Sequence, residues 1–212
     1  MIRFYAISAV VLISAMLIAI GAAIHFGISR HTAGTDPFGH CRDTQIAGGP
    51  GSIGGPFQLV DGTGAPVTDA DVITGPTLIY FGYTFCPDVC PLDAVRNAEA
   101  VDILAEQGQS VTPVFITVDP ARDTPEVVKN FAANIHPDMI GLTGTPEQTH
   151  AASQAYRTYY RIHNTDDAFY RVDHSTFTYL VFPEHGLAEV FRRDLSPAQM
   201  AERLRCFVKA AS

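Results

Sequence analysis

The residues of this 212-residue chain best equipped for chemistry are Cys86 and Cys90, in the run Phe85-Cys86-Pro87-Asp88-Val89-Cys90-Pro91. A step of four along helical backbone returns to the same face. Both sulfurs then point one way, and a helix N-terminus favours the thiolate form. Two thiolates on one face close to a disulfide or clamp a soft metal ion. A purely structural disulfide is the plain alternative. A strand end followed by a helix start, however, is more often a site than a staple.

Dithiol oxidoreductases of the thioredoxin type carry two residues between their cysteines. Here there are three, and the wider loop has room for a metal between the sulfurs. Two sulfurs alone leave a copper ion under-coordinated. Imidazole suits copper as Cu(I) or Cu(II), while thiolates favour Cu(I). The best third donor is His174, in Val172-Asp173-His174-Ser175-Thr176, directly before the apolar run Phe177 to Phe182. In thioredoxin-like folds the loop before that strand packs against the cysteine pair, so His174 is expected to face Cys86 and Cys90. Its plain alternative is a surface-loop histidine, which is the favoured reading for His40, His136, His150, His163 and His185. Asp173 is a weak candidate for orienting a neighbour, because adjacent residues point apart. A closed zinc site wants a fourth protein ligand, and none has convincing placement.

The elements that must position these residues read as follows. Phe57 to Val67 forms a hairpin about Asp61-Gly62-Thr63-Gly64. Thr77 to Tyr83 is a continuous apolar strand, buried on both faces. Leu92 to Gln107 is a helix. Val114 to Asp119 is a second buried strand, and Asp123-Thr124-Pro125-Glu126 opens another helix. Met139 to Thr143 is a short strand, and Thr145-Pro146-Glu147 starts a helix. Thr158 to His163 and Phe177 to Phe182 are strands. Leu187 to Phe191 returns through Glu184-His185-Gly186 as a hairpin, and Ser196-Pro197-Ala198 begins the last helix. Alternating strands and helices imply parallel, crossover-connected strands. The late hairpin adds antiparallel pairing. The expected fold class is α/β, a thioredoxin-like mixed sheet flanked by helices, with an N-terminal transmembrane helix.

That last helix is read from Phe4 to Ile24, which contains no charged residue. At roughly 1.5 Å per residue, a run of about 20 spans a hydrocarbon core. A cleaved signal peptide has a shorter apolar stretch, about 7–15 residues, although Ala19, Gly21, Ala22 and Ala23 would suit a peptidase. Arg3 and Arg30 nearly balance the positive-inside signal. The two-residue lead before Arg3 and the large acidic domain favour the N-terminus inside and the domain outside. The lead is too short for an amphipathic organelle transit peptide. The expected organisation is an anchor at 4–24 in a bacterial inner membrane, a Gly/Pro-rich linker at 25–55, and a periplasmic domain at 56–210. Beyond residue 30 the chain holds 12 basic and 22 acidic side chains, with Lys129 and Lys209 its only lysines. So acidic a domain is a poor nucleic-acid binder.

The residues resemble the Sco/SenC family, copper-binding thioredoxin-like proteins of cytochrome c oxidase assembly. The resemblance is carried by Tyr80-Phe81-Gly82-Tyr83-Thr84-Phe85-Cys86-Pro87-Asp88-Val89-Cys90-Pro91. Val118-Asp119-Pro120-Ala121-Arg122-Asp123-Thr124-Pro125, Gly141-Leu142-Thr143-Gly144-Thr145 and Asp173-His174-Ser175 follow in the family's order. It implies copper held by Cys86, Cys90 and His174 and delivered to the dinuclear copper centre of cytochrome c oxidase subunit II or another acceptor. An upstream copper donor or a thiol reductant would be a further partner. The Arg122–Pro125 turn would shape the face around the site.

Cys41 and Cys206 fall outside that pattern. If the linker folds back, they can pair with each other; two free thiols or an intermolecular bond are the alternatives. Three functions compete for Cys86 and Cys90. The first is a copper metallochaperone. The second is a thiol–disulfide oxidoreductase that keeps an acceptor's cysteines reduced and cycles Cys86 and Cys90 itself. The third is a peroxide-handling or redox-sensing protein.

Overall fold

The computed structural model describes residue 16, residues 36–43, residues 48–163 and residues 169–211. The chain divides into two units, residues 1–39 and His40–Ser212. The apolar span expected at 4–24 lies outside the described residues, apart from Met16. Among the described residues no helix is long and apolar enough to cross a membrane.

In the second unit β1 (Gln58–Asp61) and β2 (Pro66–Thr68) form the expected hairpin. Asp61 builds its turn. One carboxylate oxygen accepts from the Thr63 N–H at 2.8 Å, the Thr63 hydroxyl at 2.6 Å and the Ala65 N–H at 3.0 Å. A one-turn helix, α1 (Asp69–Val72), follows. Next come β3 (Thr77–Gly82), α2 (Val89–Ala105), β4 (Thr112–Thr117), α3 (Pro125–Ile135), β5 (Ile140–Thr143) and α4 (Pro146–Ala155). After them come β6 (Tyr160–Ile162), β7 (Val172–His174), β8 (Thr178–Phe182), β9 (Gly186–Phe191) and α5 (Pro197–Ala210).

Helices α3, α4 and α5 start in the same way. Thr124, Thr145 or Ser196 caps the first turn through its hydroxyl, and a proline occupies the first helical position. There its missing N–H removes no bond, and its ring pre-sets φ.

Seven strands form one sheet in the order β2-β1-β5-β4-β3-β8-β9. The pairs β3–β4 and β4–β5 are parallel; β1–β5, β3–β8 and β8–β9 are antiparallel. Every residue of β3 and of β8 is buried, which is why both read as unbroken apolar runs rather than alternating ones. The site follows from this topology. The chain leaves β3 and β4 at their carboxyl ends, where ligand sites of open α/β sheets collect. Antiparallel β8 enters the sheet at that same end, its Thr178 opposite Tyr80.

Strand β7 was not foreseen. It pairs with β6 in a separate two-stranded sheet, Tyr160 opposite His174. Three residues are too few for an alternation pattern to register in sequence.

Cys41 and Cys206 are joined in a disulfide across a sequence separation of 165. The segment at Cys41 is fastened further. The Arg42 Nε donates to the Ala188 carbonyl at 2.7 Å. Arg203 of α5 bridges the buried Glu189, at 2.9 Å, to Asp43, at 3.3 Å. This part of the expected linker therefore lies against the domain.

Candidate metal centre

Strand β3 ends at Gly82, and the chain turns through Tyr83–Asp88 into α2. The backbone N–H of Cys86 donates to the Tyr83 carbonyl at 3.3 Å, which places Cys86 in that turn. Cys90 is the second residue of α2, and Pro91 is the third, where a helical N–H has no partner to lose. The Asp88 side chain makes no capping bond. The Cys90 N–H instead donates to the Cys86 sulfur at 3.4 Å, so the sulfur caps the helix.

The third donor arrives from β7. Ser175 holds that strand's end, its N–H donating to the Tyr159 carbonyl at 2.9 Å. His174 Nδ1 lies 2.8 Å from the Ser175 carbonyl. A carbonyl only accepts, so Nδ1 carries a proton, and Nε2 is the ring nitrogen turned toward the cysteines. Nε2 stands 3.1 Å from the Cys90 sulfur. The rings of Tyr80 and Tyr83 meet the imidazole edge-on, at 6.2 and 5.8 Å between centroids.

The donor atoms of Cys86, Cys90 and His174 all lie within 4.8 Å of one another. Cys90 is fully buried, Cys86 nearly so, and His174 half-buried. The site is thus a buried floor with a histidine at its rim. The two thiols are free and electrically unlike. The Cys90 thiol donates to Cys86, and His174 and the N–H groups of Asp88 and Cys90 help. Together they pull Cys86 down to about 3 against the opposing effect of burial. Donation to that thiolate, and then burial, push Cys90 up. The site thus favours the thiolate at Cys86 and the thiol at Cys90. Two thiolates and a neutral imidazole nitrogen are a soft donor set, suited to Cu(I).

A buried frame holds this arrangement. Asp123 accepts from the Thr84 N–H at 2.9 Å, the Thr84 hydroxyl at 2.6 Å and the Thr117 hydroxyl at 2.6 Å. It ties the cysteine turn to the end of β4. Its own carbonyl accepts from the Thr143 hydroxyl at 2.7 Å, which adds β5. Asp119 accepts from Arg122 Nε and from the Tyr170 hydroxyl, both at 2.6 Å. The guanidinium lies 3.5 Å from the Tyr170 ring centroid and 4.9 Å from that of Phe85. The expected role of the Arg122–Pro125 turn thus acquires a physical form.

Beneath the pair, the Tyr80 hydroxyl donates to Asp93 at 3.1 Å, and burial pushes its ionisation up. A Cβ on Gly82 would come within 3.2 Å of the Cys90 sulfur and 3.0 Å of the Tyr80 and Phe115 rings. The glycine is what lets Cys90 approach the strand.

Sequence reasoning missed Tyr80, Gly82 and Asp93 as parts of the site. A glycine closing an otherwise apolar strand was the available signal. Nothing in the pattern of α2 separated buried Asp93 from a solvated acid. Asp173 points away from His174, as expected of an adjacent residue: its carboxylate meets His163 Nε2 at 2.7 Å on the surface, and the Ser175 carbonyl orients His174. His136 pairs with Asp102 and His150 with Tyr160, outside the site.

Fold and site define a thioredoxin-like domain built for thiol or soft-metal chemistry. The SCO1/SenC family pattern matches residues 46–209. The chain belongs to the SCO1/SenC family. It is 51% identical over 201 residues to Protein SenC of Rhodobacter capsulatus, covering 93% of this chain and 88% of that one. It is similar to the copper-bound crystal structure of Arabidopsis thaliana ScoI, with 38% identity and a TM-score of 0.68, covering 75% of this chain and 98% of that one. Against copper-bound yeast Sco1 the values are 35% and 0.70, covering 74% and 89%.

Proposed function

We propose that this protein is a copper metallochaperone that holds Cu(I) on the sulfurs of Cys86 and Cys90 and on Nε2 of His174. The observation that carries this reading is the convergence of those three atoms within 4.8 Å, with Nε2 of the histidine directed inward. Binding as two thiolates displaces the thiol proton that Cys90 favours keeping. The third ligand sits at the rim, so an acceptor can take the ion by replacing His174 first. The acceptor is the dinuclear copper centre of cytochrome c oxidase subunit II, as the family resemblance implies. Residues 4–24 serve as a single-pass anchor in a bacterial inner membrane, with the copper domain in the periplasm. Titrating the reduced protein with Cu(I) against a chromogenic chelator tests the site. With Cys86 and Cys90 reduced and the Cys41–Cys206 disulfide intact, one equivalent should bind tightly, and His174→Ala should weaken binding by more than about 10-fold, since even groups that only orient a ligand cost 10–100-fold. Unchanged affinity in that variant overturns the assignment.

One observation favours a second reading, disulfide exchange. A Cys86 thiolate beside a Cys90 thiol is the division of labour that exchange requires. The thiolate attacks an acceptor's disulfide and releases one acceptor thiolate. Cys90 then gives its proton to the second acceptor sulfur as it closes on Cys86. Reduction of a disulfide substrate that survives His174→Ala identifies this activity.

A further inference from the structure

The second cysteine pair has a third neighbour of its own. His40, Cys41 and Cys206 place a ring nitrogen and two sulfurs within 4.8 Å of one another. It is the donor set of the first site, formed from different elements: residues preceding the domain and the last turns of α5. These atoms line a cavity of about 370 Å³. In the structure the sulfurs are bonded to each other, and a disulfide sulfur is a poor metal ligand. We propose that the Cys41–Cys206 disulfide masks a second Cu(I) site, opened by reduction and completed by His40.

The chemistry balances with a dithiol as reductant. The dithiol supplies two electrons and two protons, the S–S bond breaks, Cys41 and Cys206 become thiols, and the dithiol closes to its own disulfide. Cu(I) then binds both sulfurs and His40, displacing two protons. Oxidation by a disulfide-forming partner reverses the sequence and expels the ion.

Three features suit such a site. His40 is exposed and Cys206 is half-exposed, so reductant and metal can both reach it. Three cations, Arg203, Arg205 and Lys209, line the cavity against the acids Asp43 and Glu202. Arg203 is engaged by Glu189 and Asp43 and Arg205 by Glu202, which leaves Lys209, in the last turn of α5, as the cation that opposes the unfavourable dipole there. Arg42 and Arg203 fasten the segment to β9 independently of the sulfurs, so the donors stay close once the bond opens. Among the described residues no fourth His, Cys, Asp or Glu donor joins this group, and two sulfurs with one imidazole suit a soft monovalent cation better than zinc.

The test uses the full chain in detergent, reduced by a dithiol until four thiols are counted, and titrated with Cu(I) against a chelator. Two equivalents are expected for the wild type and one for Cys206→Ser. The double variant Cys86→Ser/Cys90→Ser removes the first site. It should bind one equivalent when reduced and none when oxidised, and adding His40→Ala should weaken that binding by more than about 10-fold. One equivalent in a wild-type chain with four free thiols overturns the proposal. So does a reduced double variant that binds no copper, or whose affinity ignores His40. If four thiols appear only on unfolding, seen by circular dichroism, the bond is a staple and the proposal is also overturned. Because the double variant lacks the first site, either copper site can fail without the other.

Discussion

The two cysteine pairs of this chain share a chemistry and differ in everything that sets its state. Cys86 and Cys90 are four residues apart, free, and buried at the carboxyl end of β3. Cys41 and Cys206 are separated by 165 residues and bonded. In the first pair the local backbone does the work. A turn and a helix start aim both sulfurs at His174, and their inequality of charge keeps one as thiolate. In the second pair the sulfurs meet only because β9 and α5 receive the segment at Arg42. Here the short spacing makes an open thiol site, and the long one a pair whose sulfurs are held in a crosslink.

That contrast can be broken in several places. The largest effect is expected from Cys90→Ser, which should abolish tight Cu(I) binding at the first site while thiol counting finds the distal disulfide intact. Copper retained at wild-type affinity would erase the functional difference between the pairs. Cys41→Ser should do the reverse. It should lower the unfolding free energy in denaturant melts by roughly 2–5 kcal/mol, the range for losing a native bridge that closes a long loop. Copper affinity of the first site should stay within about twofold, since no group that holds it touches the bridge.

Asp123→Asn removes the charge from the knot between Thr84 and Thr117. About 1.5–3 kcal/mol is expected for hydrogen bonds to a charged group. Copper binding should weaken with it, because the cysteine turn is released. Stability lost without any change in copper binding would detach that frame from the site.

The smallest effect concerns pH. Cys86 is drawn from its ordinary value of 9.0 to about 3 in the folded protein. A depressed value means the stabilisation is complete above pH 9.0 and is lost as the pH falls toward about 3. The reduced, metal-free protein should therefore lose stability on acidification across this window, and Cys86→Ser should flatten that dependence. Iodoacetamide at pH 5 should label Cys86 ahead of Cys90. Equal labelling would remove the asymmetry on which disulfide exchange depends.

Legibility in the sequence followed the range of the forces involved. The buried strands, the hairpins and the three helix starts of the Thr-Pro and Ser-Pro type were readable, because each rests on neighbours within a few residues. Helix α2 was placed a turn late, at Leu92 instead of Val89. Pro91 argues against helix unless it falls in the first turn, and only the Cys86 sulfur receiving the Cys90 N–H shows that it does. Strand β7 was too short to announce itself. Of the site, the cysteines declared themselves by spacing and His174 by its place before β8. Asp93, Tyr80 and Gly82 did not, because each acts through a neighbour distant in sequence.

The sequence by itself determined the donor atoms: two thiols on one helical face and a histidine ahead of an apolar strand. Residue type and local spacing are sufficient for that. Tertiary structure decided which nitrogen of His174 is free, which cysteine carries the charge, and that Cys41 meets Cys206. Each of these depends on a partner brought from another element, the Ser175 carbonyl, the sulfur across the turn, or the last helix. Hydrogen bonds and disulfides form between atoms that are close in space, whatever their separation along the chain.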